Sequence, residues 1–138
     1  MKRFFCAIGI VLITMLLLES AWFAVVVEHL YRPELGELLA DDVRIVPAIL
    51  FYGLYPVAVV ILAVRPFDES SDPLAAFGRG FVLGLAAYGA YELTNLATLE
   101  GWSELVTVVD LSWGCALTSV SALLSSILTK RLFETPVA

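Results

Sequence analysis

Charge, histidine and cysteine are all scarce in this sequence. Of 138 residues only 16% are charged, while 60% are hydrophobic, and the chain holds one histidine and two cysteines. So little charge is incompatible with an ordinary water-soluble globule. The shortage of Cys and His leaves no metal-ligand spacing, and neither a glycine-rich phosphate loop nor a nucleophile elbow occurs. Eight basic residues against fourteen acidic ones give a net charge of −6, so nucleic acid as a partner has no electrostatic support. Cys6 and Cys115 fall in different apolar runs at different depths, which points to packing and not to a disulfide. His29, at an outer interface, reads as a solvated ring and not as a ligand.

What is present in excess is long apolar sequence. Mean hydropathy is +0.91, and four runs, residues 4–27, 45–64, 74–97 and 105–128, each approach the ~20 residues that cross a hydrocarbon core. The fold class expected is all-α: one integral membrane four-helix bundle over residues 1–138, with the lipid bilayer as its surroundings. The first run follows Lys2 and Arg3 like a secretory signal, but no pair of small residues near Glu19 to Ala24 has cleavage spacing. It is therefore expected to be a retained helix.

Orientation follows from the basic residues. If the four helices alternate in direction, Lys2, Arg3, Arg65, Arg79, Lys130 and Arg131 share one side, with Arg32 and Arg44 on the other. The positive-inside rule then puts both termini in the cytoplasm of a bacterial inner membrane. The outer loops carry Glu28, Glu34, Glu37, Asp41, Asp42, Glu100 and Glu104, which accounts for most of the acidity. Between the first two runs, Leu30, Tyr31, Leu35, Leu38 and Leu39 recur at helical spacing, so a short interfacial segment is expected there. Residues 66–73 read as a hydrated cytoplasmic turn, and 100–104 as a tight outer hairpin.

The chemistry-bearing residues are those that lipid should exclude. Glu19, Glu92 and Asp110 lie within the predicted spans, where a central charge costs about 2.5–3.5 kcal/mol, so they must face protein, water or one another. At ~1.5 Å of rise per residue all three fall in the outer third of the bilayer, with Tyr52 at a similar height. On the third helix Gly80, Gly84, Tyr88, Tyr91, Glu92 and Asn95 share one sector. The glycines have the small-xxx-small spacing of close helix packing, and a polar pocket is expected above them. On the fourth helix Thr107, Asp110, Gly114, Thr118, Ser121 and Ser125 form a polar stripe bordered by Trp113. Glu19 shares a face with Trp22, and Tyr52 with Tyr55 and Pro56. The proline removes a backbone hydrogen bond and predicts a kink near the cluster. Tyr31 and Trp102 read as interfacial belt residues.

Acids crowded in a poorly solvated place share protons and titrate as a unit. Such a cluster can bind or translocate a proton, a cation or a small polar ligand through Glu19, Glu92, Asp110, Tyr52, Tyr88, Tyr91, Asn95 and Trp113, with Gly80, Gly84 and Gly114 as packing positions. Three alternatives stay open. The acids can act as acid and base on a lipid-borne substrate, with no catalytic residue or cofactor identifiable. The chain can be a structural partner of a membrane protein or of its own copy, for which Gly80 and Gly84 are the motive. In the plainest case the acids only set helix register.

The run from Tyr88 through Tyr91, Glu92, Thr94, Asn95 and Thr98, followed by Trp102 and by Asp110, Trp113, Gly114 and Thr118, resembles a bacterial membrane family designated domain of unknown function 2177. Glu19 with Trp22, Tyr31 with Gly36, and Phe51, Tyr52 and Tyr55 resemble its earlier landmarks, so the likeness spans nearly the whole chain. One departure is Glu19, where the family pattern has aspartate. The resemblance implies a multi-pass membrane protein and brings no assigned activity.

Overall fold

A computed structural model describes residues 1–40, 42–66 and 72–133. Asp41 and most of the expected cytoplasmic turn at 66–73 lie outside the described residues. Among the described residues the chain is all helix, in the order α1 (Lys2–Val26), α2 (Arg32–Leu35), α3 (Ile45–Val59), α4 (Pro73–Thr98) and α5 (Glu104–Phe133).

The helix ends follow from local chemistry. The first helix does not stop where the apolar run ends. It widens into a π-helical turn at Val27–Tyr31, continues as α2, and tightens to a 3-10 turn at Gly36–Leu38. Gly36, at φ +51, breaks it in a conformation that only glycine adopts without strain. The expected interfacial segment is thus a continuation of the first helix and not a separate element. Asp72 caps α4 by accepting from the Ala75 amide at 3.2 Å, with Pro73 in the first turn, where its missing N–H costs nothing. Ser103 opens α5 in the same way, its Oγ accepting from the Val106 amide at 3.3 Å. The tight 100–104 hairpin forms as expected, turning at Gly101 with φ +80.

Pro56 sits inside α3, and the irregularity it predicts appears one turn further on, as a π-helical stretch at Val60–Val64. A π-turn loosens the i→i−4 ladder and leaves carbonyls available. The Ala63 carbonyl accepts from Nε of Arg79 at 2.8 Å, pinning the end of this helix to the start of α4.

Helix α5 is central, packing closely on α4 and along α1. Small residues make the α4–α5 contact. A Cβ on Gly80 would lie 2.9 Å from Ser119 Cα, and one on Gly84 3.0 Å from Cys115 Cα. A second layer joins Ala7, Val11 and Met15 of α1 to Val59, Val60, Ala63 and Val64, with Leu117 and Ala122 of α5.

Polarity is distributed the wrong way round for water. Buried positions include Glu19, Glu92, Thr118, Ser119, Ser121, Ser125, Ser126 and Thr129, while Ile13, Leu17, Ile49, Leu54, Val82 and Val108 are exposed. Exposed aliphatic faces around a core of small and polar residues suit a hydrocarbon solvent, where helices associate by close packing and hydrogen bonds. Among the described residues three helical stretches, Lys2–Leu38, Ile45–Val64 and Glu104–Phe133, are long and apolar enough to cross a membrane. Helix α4 is as long, but its glycines, Arg79, Glu92 and Asn95 dilute its hydropathy.

Candidate functional site

The acids picked out by depth are brought to one place from three helices. Glu19 of α1 is only 4% exposed and Glu92 of α4 only 1%, and with Asp110 of α5, which is half-buried, both line a cavity of about 230 Å³. The wall is completed by Trp22, Tyr31, Tyr88, Tyr91, Trp102 and Trp113, with Leu35, Leu39 and Val106 on the apolar side. Placing a carboxyl group here requires partners, since an unpaired buried charge is costly. Each acid has them.

Glu19 is held by two phenols. Tyr52 of α3 donates to Oε2, and Tyr88 of α4 donates to Oε1 at 3.3 Å. This carboxyl therefore ties α1, α3 and α4 together. Tyr88 reaches it because its ring lies directly over Gly114, where any Cβ would overlap the ring. Deeper on the same side, Tyr55 and Thr118 share a hydrogen bond of 2.9 Å.

Glu92 and Asp110 form a second unit. Both carboxyl groups line the acidic cavity, one from α4 and one from α5. Trp102 Nε1 donates to Glu92 at 3.3 Å and lies 3.2 Å from Thr107 Oγ1. Tyr31 donates to Asp110 Oδ1 at 2.7 Å. Trp22 Nε1 in turn donates to the Tyr31 hydroxyl at 3.3 Å, and its ring stacks on Trp113 with centroids 4.3 Å apart and planes within 5°. Ser103 extends the link between loops, donating to exposed Glu34 at 2.6 Å.

The expected residues thus meet, with three differences of detail. The acids do not merge into a single cluster: they divide into the Glu92–Asp110 pair and Glu19 with its two phenols. Among the described residues, no group of three or more His, Cys, Asp and Glu side chains is gathered closely enough to hold a metal ion. Tyr91 is 59% exposed. It packs edge-on against Trp102 at 5.9 Å, and Asn95 stands outside the cavity lining. Tyr31 and Trp102, read from the sequence as belt residues, are donors to Asp110 and Glu92. The π-turn carries Tyr31 inward over α5, and the short hairpin folds Trp102 back over α4. Helical periodicity cannot reveal either movement, because each depends on the backbone path between helices.

The polar stripe of α5 is largely consumed by packing. Thr107 bonds the Ser103 carbonyl at 3.0 Å, Thr118 bonds Tyr55, and Ser125 donates to the Ala7 carbonyl at 3.0 Å. On the same helix, past Thr118, the hydroxyls of Ser121, Ser126 and Thr129 are buried without a partner among the described residues.

Exposed aliphatic helices of spanning length around a buried, hydrogen-bonded acid core define the chain as a helical membrane protein. Its family follows from comparison: a model described as "Predicted membrane protein (DUF2177)" matches residues 4–127, and the chain belongs to that family. No curated protein and no solved structure matches it.

Proposed function

We propose that this is a four-span protein of the bacterial cytoplasmic membrane, with both termini inside, that binds a small organic cation in the acidic aromatic cavity of the outer half. The fourth span in this reading is α4. Its length, its close packing on α5 and its exposed Phe81, Val82, Leu85 and Leu93 support a place in the bilayer beside the other three. The bias of Lys and Arg to one side supports the orientation.

The observation that carries the function is the composition of the 230 Å³ cavity: three carboxyl groups, three indoles and three phenols, with no basic side chain in the wall. Carboxylates attract a cation, and aromatic faces add about 0.5–2 kcal/mol when the site is desolvated. Four of the six acid oxygens are already held by aromatic donors, so much of the wall is set before a ligand arrives, which lowers the cost of binding. An ammonium group seated between Glu92 and Asp110 can donate hydrogen bonds to both carboxyl groups. The packed state of the α5 stripe favours binding over passage through the bundle.

Calorimetry of the protein in nanodiscs, titrated with butylamine and tetramethylammonium, tests the reading. Glu92→Gln and Asp110→Asn keep the shape and remove the charge. Each is expected to weaken binding tenfold or more, matching the about 1.5–3 kcal/mol of a charge-assisted hydrogen bond. Unchanged affinity in both variants, or no binding to the wild type, refutes the proposal.

A further inference from the structure

A second, larger cavity adjoins the acidic one. It measures about 810 Å³ and runs between α1, α3 and α4, and its wall is almost wholly apolar. The two cavities share Glu19, Phe23, Tyr31, Tyr88 and Tyr91, so they meet along these side chains.

The groove exists because α3 splays. Its π-helical end packs closely on α4, whereas the rest of α3 packs on α1 and makes little contact with α4. The space left open is walled by Phe51, Ala48, Ala87 and Tyr55, with Tyr52 and Glu19 at its inner end. In a bilayer this opening faces the hydrocarbon of the outer leaflet. The acidic cavity is smaller than the roughly 300–1,000 Å³ of sites that enclose a whole ligand, and the groove falls inside that range.

We infer that the ligand of this site is a cationic amphiphile from the outer leaflet, its ammonium group in the acidic cavity and its single hydrocarbon chain lying in the groove between α3 and α4. This rests on the organic-cation reading above and specifies its ligand. Charge complementarity selects the head, since a carboxyl group closes the inner end of an otherwise apolar space. Adjacency selects the chain, since a molecule that reaches from one space into the other must be polar at one end and apolar along the rest. An anionic head would meet three acids, and a neutral one would gain nothing over lipid, because hydrocarbon chains are as well solvated by lipid tails as by aliphatic side chains.

Ala48 and Ala87 line the groove but not the acidic cavity. Ala48→Phe and Ala87→Phe, made separately in case one disturbs folding, fill it from opposite walls. In nanodiscs, dodecylamine binding is expected to fall roughly tenfold or more in each, while butylamine binding stays within about twofold of wild type. Retained butylamine binding also shows that the acidic cavity is intact. Dodecanol is expected not to displace dodecylamine. If both variants bind dodecylamine as wild type does, or if dodecanol competes as well as the amine, the groove is an ordinary lipid contact and the inference fails while the small-cation reading stands. If wild type binds neither butylamine nor tetramethylammonium, both fall together.

Discussion

Gly84→Ala isolates the contact on which the site is built. The new methyl would fall against the Gly114 carbonyl, with Cys115 Cα 3.0 Å away. These are backbone atoms and cannot rotate aside, so α4 and α5 must separate. Overpacking of this kind costs about 1–3 kcal/mol, while replacing a mid-helix glycine by alanine returns about 0.5–1 kcal/mol. Gly78 provides the internal control, because it lies on the same helix and a Cβ there meets nothing within 4 Å. In the difference between the two variants the propensity gain cancels and the steric penalty remains. Gly84→Ala should therefore be about 1–3 kcal/mol less stable than Gly78→Ala when the purified protein is unfolded at equilibrium in mixed micelles. The same separation would lift α5 away from Tyr88 and weaken its bond to Glu19, so butylamine affinity should fall as well. Equal stability of the two alanine variants would refute the claim that bare backbone contact joins these helices.

Other consequences can be measured separately. Tyr55→Phe should cost about 1 kcal/mol by leaving the fully buried Thr118 hydroxyl unpaired, and adding Thr118→Val should recover part of that loss in a double-mutant cycle. Trp113→Ala should abolish the exciton signal expected in circular dichroism from the stacked Trp22–Trp113 pair and destabilise the fold by about 3–5 kcal/mol; a surviving signal would contradict the stacking. Ser126→Ala and Thr129→Val remove buried hydroxyls that lack a partner among the described residues. They should leave stability unchanged or raise it by up to about 1 kcal/mol, and a clear loss would mean that these groups are satisfied. Tyr31→Phe, which cuts the bond to Asp110, should raise hydrogen exchange across residues 27–38 and leave the lower half of α5 protected.

Composition and periodicity determined a great deal about this protein. Apolar runs of bilayer length can only be helices, since every backbone group must be satisfied within its own segment. The rarity of acids in such runs marks Glu19, Glu92 and Asp110 from the sequence alone. Their depth could be counted because helical rise is constant, and the faces of α4 and α5 could be read because side chains three and four apart align. Glycine spacing on α4 likewise marked a face for close helix approach, though not that α5 would be the helix to meet it.

Tertiary structure alone decided the rest. Which acid pairs with which depends on helix rotation to within a fraction of a turn: Glu92 meets Asp110 while Glu19 is taken by Tyr52 and Tyr88. Tyr31 and Trp102 enter the site because the chain between helices bends them inward, and no periodic signal encodes that path. The splay of α3 from α4 is also invisible in a one-dimensional pattern. It follows from how the proline-containing α3 runs into its π-helical end at Val60–Val64, a tertiary relation that side-chain periodicity does not encode.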